Sequence, residues 1–116
     1  MTMANRFDGD ALVLLRDIME DEFDDLIRVF ITDSDIRLQH LSQAYSAQQF
    51  DEVRRLAHSF KGASSNVAAP LLTQLCFQVE EAAQQRQVPR LASGLRALQN
   101  EYLQVRDGLL QMIDPA

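Results

Sequence analysis

The stretch Val88-Pro-Arg-Leu-Ala-Ser-Gly-Leu-Arg-Ala-Leu-Gln-Asn-Glu-Tyr-Leu-Gln-Val-Arg-Asp-Gly-Leu-Leu-Gln-Met112 decides the fold. Its apolar side chains fall at Val88, Leu91, Leu95, Leu98, Tyr102, Val105, Leu109 and Met112, in alternating steps of three and four. That spacing puts one apolar seam along a helix packed lengthwise against near-parallel neighbours. Pro89 suits the first turn of such a helix, where a missing N–H costs nothing. Upstream, a second long helix is predicted from about Asp21 to Tyr45, with Phe23, Leu26, Ile27, Phe30, Ser34, Leu38, Leu41 and Tyr45 on one stripe. Ser46-Ala-Gln-Gln49 reads as a capping box that opens a third helix running to about Val67, with Phe50, Val53, Ala57, Phe60, Ser64 and Val67 inward. Pro70 begins a fourth, whose apolar face is Leu71, Leu72, Leu75, Cys76, Val79, Ala82 and Ala83 before Gln84-Gln-Arg-Gln87. The segment Asp8-Gly-Asp-Ala-Leu-Val-Leu-Leu-Arg-Asp-Ile-Met19 adds a short helix with Leu12, Leu15 and Met19 on one side, a lid or brace. The expected fold is therefore all-α, an antiparallel four-helix bundle with an additional short N-terminal helix, in a single domain over residues 1–116.

Composition narrows the functions open to it. The chain has 116 residues, 47% hydrophobic and 24% charged, the proportions of one soluble domain with its own core. A net charge of -6 opposes the basic field that nucleic acid or anionic lipid attracts, so neither is an expected partner. No apolar run approaches the roughly 20 residues that cross a bilayer, and Met1 to Arg6 lacks a signal-peptide core, so a cytoplasmic protein is expected. One cysteine, Cys76, excludes an intrachain disulfide and any CxxC motif, and reads as a small buried apolar residue. HExxH, inward Glu-x-x-His pairs, GxxxxGK[ST] and GxGxxG are all missing, as is a nucleophile elbow, so no metal or nucleotide cofactor is expected.

One segment carries chemistry: Ala57-His-Ser-Phe-Lys-Gly-Ala-Ser-Ser-Asn-Val-Ala-Ala69. At 100° per residue, Asp51, Arg54, His58, Gly62 and Ser65 cluster opposite the apolar stripe, so His58 points away from the core. Lys61 is the only lysine in the chain, against ten arginines, and it sits three positions after His58 on a neighbouring part of the helix surface. An ammonium there opposes a charged imidazole but suits a neutral one that receives an anion. Gly62 costs about 1 kcal/mol relative to alanine in an exposed helix interior, and its missing side chain opens space beside His58. These features point to a nucleophilic histidine approached closely by another macromolecule, with Lys61 screening phosphoryl oxygens. His40, with no Lys-Gly after it, reads as a surface or structural residue, and Phe77, opposite the leucines of its helix, is expected to be exposed.

His58-Ser-Phe-Lys61-Gly62, followed by small residues and Asn66-Val67, resembles the signature of histidine-containing phosphotransfer (HPt) domains. The likeness extends over most of the chain, through Phe30, Leu72-x-x-Leu75-Cys76, Glu80 and the long last helix, and is strongest to the stand-alone HptB-type members. The resemblance implies His58 as phosphoacceptor, Lys61 as phosphate-stabilising cation, Gly62 as clearance residue and Glu80 as the residue that orients the imidazole. With Glu80 accepting from Nδ1–H, Nε2 is left to attack phosphorus in line. It further implies a monomeric carrier without kinase activity, between receiver domains of hybrid sensor histidine kinases and response regulators, with Mg²⁺ on the partner receiver. Met1 and Pro115-Ala116 suit an independent chain, and a phosphoacceptor domain cut from a larger kinase is the variant of that reading. The reading from another class is a helical adaptor that docks receivers without being phosphorylated. One departure stands out: Ala68 replaces the glycine usual in the family at the turn into the fourth helix, a substitution that costs little where φ stays negative.

Overall fold

Each apolar periodicity folds as a helix in the computed structural model, which describes residues 6–113. The chain ends at Met1 and at Pro115-Ala116, which bore on the independent-chain reading, lie outside the described residues. In order the elements are α1 (Gly9–Met19), α2 (Glu22–Ser46), α3 (Phe50–Asn66), α4 (Pro70–Gln84) and α5 (Val88–Ile113), with no strand among the described residues. The last four are joined by links too short for anything but reversal, so successive helices run antiparallel. α2 packs on α3 and α5, and α4 packs on α3 and α5, closing a four-helix ring within a body 41 × 24 × 23 Å. α1 braces α2, its Asp8 carboxylate capping the Ala11 N–H at 3.2 Å, while the Asp8 N–H donates to the Ala68 carbonyl at 2.9 Å.

The core is built from the predicted stripes. Phe23, Ile27, Phe30 and Leu41 of α2 meet Val53, Ala57 and Phe60 of α3, Leu72, Cys76 and Val79 of α4, and the α5 seam from Leu91 to Leu109. Full burial of each large side chain contributes roughly 1.5–3 kcal/mol against the chain entropy. Tyr102 lies at the centre, its ring edge-on to Phe60 and tilted against Phe30, its hydroxyl donating to Asp35 Oδ1 at 2.6 Å. Burial pushes the Cys76 thiol up to about 12, so it packs as a neutral side chain.

Three expectations are corrected. Leu71 and Val88 are exposed, because each lies in the first turn of its helix on the solvent side rather than on the seam. Ser46 is not an N-cap: α2 continues through it, and the N-cap of α3 is Gln49, without a side-chain hydrogen bond. Ala68 does not keep a negative φ but sits at +56°, in the left-handed region. The reversals share one design: Gln48 (57°), Ala68 (56°) and Arg86 (55°) are left-handed, and the next N–H returns five residues, from Gln49 to Ala44, Ala69 to Ser64 and Gln87 to Ala82. This is the Schellman closure, which satisfies carbonyls left open at a helix C-terminus.

Candidate functional site

Burial of Ala57, Phe60 and Ser64 fixes the rotation of α3, and that rotation turns His58, Gly62 and Ser65 to solvent. Ser64 settles into the core by donating to the Phe60 carbonyl one turn back, at 2.8 Å. α4 packs beside this face and brings Glu80 against it. The Glu80 carboxylate spans two partners: Oε2 lies 2.9 Å from His58 Nδ1, and Oε1 accepts from Lys61 Nζ at 2.8 Å. The His58 side chain is 64% exposed, whereas Lys61 and Glu80 are 27% and 15% exposed. The acceptor candidate is thus open and its supporting pair largely covered.

The electrostatics fix the imidazole's tautomer. Burial raises the Glu80 pKa, but hydrogen bonds from Lys61 and His58 outweigh it and hold the carboxyl below its ordinary value. An ionised carboxylate only accepts, so the hydrogen of a neutral His58 ring resides on Nδ1. Nε2 is then the unprotonated nitrogen of an exposed ring, a nucleophile held in one orientation.

Gly62 has no packing reason to be glycine. A Cβ there meets nothing within 4 Å, whereas one at Gly94 would lie 3.3 Å from Val79 Cγ2 at the α4–α5 contact. Packing within the described residues therefore does not require the glycine beside His58. Lys61 also lies over the ring of Phe77, its Nζ 5.2 Å from the centroid, and Phe77 is exposed as its helical position predicted. A cleft of about 490 Å³ opens beside the pair, bounded by Ser65, Ala68, Thr73 and Asp8. Sequence reasoning placed His58, Lys61, Gly62 and Glu80 in one site, and the fold brings them together. It missed the Lys61–Phe77 contact, for which the signal was the three-residue spacing of Phe77 and Glu80 on one face of α4. His40 is exposed on α2 beside Arg55 and takes no part in the bridge.

Among the described residues no group of three or more His, Cys, Asp or Glu side chains is arranged to hold a metal ion, and no helix is long and apolar enough to cross a membrane. The family model for the Hpt domain matches residues 25–108, which include α3, α4 and the whole bridge. The structure is similar to that of histidine-containing phosphotransfer protein B (HptB) from Pseudomonas aeruginosa PAO1, with 34% identity, a TM-score of 0.91 and 96% of each chain covered. It also shares its fold with the histidine-containing phosphotransfer protein ZmHP2 from maize, at 21% identity and a TM-score of 0.83, over 91% of this chain and 88% of that one. No curated protein sequence matches the chain. With the helical bundle, the histidine–lysine–glutamate bridge and the family match in agreement, the chain belongs to the Hpt domain family.

Proposed function

We propose that this protein is a phosphoryl carrier in a multistep phosphorelay, in which His58 accepts the phosphoryl group of a receiver aspartate and passes it to a second receiver. The observation that carries the reading is the Glu80 bridge, which fixes Nδ1 of an exposed imidazole as donor and leaves Nε2 free. In the forward step the Nε2 lone pair forms the N–P bond as the P–O bond to the receiver aspartate breaks, and the aspartate carboxylate departs with the electron pair. No proton moves, because Nε2 carries none, and the positive charge gained by the ring faces the Glu80 carboxylate. Lys61 has two further N–H donors beside the one given to Glu80, and these screen the equatorial oxygens of the transferring group. Gly62 leaves room for the receiver's surface next to His58. Mg²⁺ and the aspartate belong to the receiver, so this chain needs no cofactor of its own and acts as a cytoplasmic monomer.

The partners are receiver domains of hybrid sensor histidine kinases and of response regulators. A phosphorylated receiver incubated with wild type and with His58→Gln tests the reading. The expected result is an acid-labile, base-stable phosphate on the wild type alone. Label persisting on His58→Gln moves the acceptor elsewhere, and receivers that bind the wild type without labelling it make the protein a docking adaptor.

A further inference from the structure

We infer that Phe77 is a positioning residue for this site: its ring holds the Lys61 ammonium against the Glu80 carboxylate and thereby maintains the bridge that orients His58. The consequence for transfer rests on the carrier reading above; the consequence for the bridge does not. Phe77 lies three residues before Glu80 on α4 and is 40% exposed, although its neighbours on the helix, Cys76 and Val79, are fully buried. The core therefore does not account for a large aromatic at this position. Its ring face is occupied instead by the only lysine of the chain, at 5.2 Å from Nζ to the centroid. A cation within about 6 Å of a ring face is attracted by the ring quadrupole.

A lysine stem has four carbons and many rotamers, so one hydrogen bond to a carboxylate leaves the ammonium free to swing into solvent. Here it is held from two sides, by Glu80 Oε1 at 2.8 Å and by the Phe77 ring. The carboxylate in turn holds His58 Nδ1 at 2.9 Å. Three successive contacts, Phe77 to Lys61, Lys61 to Glu80 and Glu80 to His58, connect an exposed aromatic on α4 to Nδ1 of the His58 ring on α3.

The competing role for an exposed phenylalanine near a site is a docking anchor, and the two roles separate chemically. Phe77→Leu keeps apolar bulk but loses the π face, whereas Phe77→Tyr keeps both. In full-length ¹⁵N- and ¹³C-labelled protein, long-range ¹H–¹⁵N spectra report the His58 tautomer and the carboxyl carbon of Glu80 reports its titration. Phe77→Leu is expected to mix the two His58 tautomers, to move the Glu80 midpoint up toward an ordinary carboxylate, and to slow transfer from a phosphorylated receiver about two- to fivefold. Phe77→Tyr restores the wild-type spectrum and rate. In a Lys61→Ala background Phe77→Leu changes neither, because the cation it holds is gone. Wild-type spectra for Phe77→Leu, or an equal loss in the Lys61→Ala background, overturn the inference. Weakened receiver binding with an unchanged His58 spectrum also overturns it and makes Phe77 a docking anchor. Should wild type take no label while the spectra respond as expected, the carrier reading fails and the positioning role stands.

Discussion

Glu80 is one carboxylate serving two donors, and both of its bonds have consequences at the scale of the residue. Glu80→Ala removes the acceptor that selects the Nδ1–H tautomer but leaves the Nε2 atom in place. Transfer to His58 is expected to slow about tenfold without being abolished, the size of one charge-assisted hydrogen bond in a partly exposed setting. Initial transfer rates for wild type and Glu80→Ala check this, and an unchanged rate removes the orienting role. The same bonds lower the Glu80 pKa against the opposing effect of burial, so the native state binds its proton less readily than the unfolded chain. The bridge therefore adds stability that is full above the ordinary glutamate pKa and is lost as pH falls through the depressed native value. Urea unfolding followed from neutral to acid pH is expected to show a steeper acid loss for wild type than for Glu80→Gln. His58, Lys61 and Gly62 were legible from their spacing on one helix. Glu80, 22 residues from His58, was legible only through the resemblance, because its approach depends on how α4 packs against α3. The Phe77 contact was only half legible: the three-residue spacing put Phe77 and Glu80 on one face of α4, but periodicity gives the direction of a side chain and not what lies opposite it.

At the scale of the elements, the reversals explain both the success and the failure of the sequence reading. The helix periods and the prolines at Pro70 and Pro89 placed the helices within a residue or two of their bounds, except the start of α3, whose cap is Gln49, three residues later than the expected cap at Ser46. The turns themselves were misread. Ser46-Ala-Gln-Gln49 fits the capping-box pattern, yet the left-handed Gln48 and the return bond from Gln49 to Ala44 belong to a helix ending, not one starting. Nothing in the residue types announces that conformation, because none of the left-handed positions Glu20, Gln48, Ala68 and Arg86 is glycine. An L-residue in the left-handed region costs about 1–2 kcal/mol, against about 0.5–1 kcal/mol of extra chain entropy for glycine. Ala68→Gly is accordingly expected to stabilise the protein by about 0.5–1 kcal/mol, raising the thermal midpoint by roughly 4 °C. The backbone bond from Asp8 to the Ala68 carbonyl survives the change. Arg86→Gly is expected to gain less, because the guanidinium also covers the Phe50 ring, 5.4 Å from its centroid. Thermal melts of both variants beside wild type test that ranking, and an Ala68→Gly midpoint at or below wild type contradicts the strain argument.

For the whole molecule, the seam quoted from α5 does the organising, and Tyr102 is where it meets the rest of the bundle. Its ring touches Phe30 of α2 and Phe60 of α3, and its hydroxyl reaches Asp35, so one side chain of α5 ties three helices. Burial, then the hydrogen bond to Asp35, pushes the tyrosine pKa up, which keeps the hydroxyl a donor. Phe60 also shares α3 with His58 and Lys61, packing inward while they face out. The bundle core and the candidate site thus use opposite faces of one helix, and a perturbation of the core that leaves the rotation of α3 intact should not reach the site. Tyr102→Phe removes one hydroxyl without opening a void. Asp35, 44% exposed and 3.6 Å from Arg106, is left to water and that ion pair rather than orphaned. The expected cost is about 1–2 kcal/mol, seen as a lower urea midpoint with an unchanged slope. The rate of transfer to His58, measured well below that midpoint, is expected to equal that of wild type. A slower transfer by the folded Tyr102→Phe protein means instead that the Phe60–Tyr102 contact sets the rotation of α3, and with it the distance from His58 to Glu80.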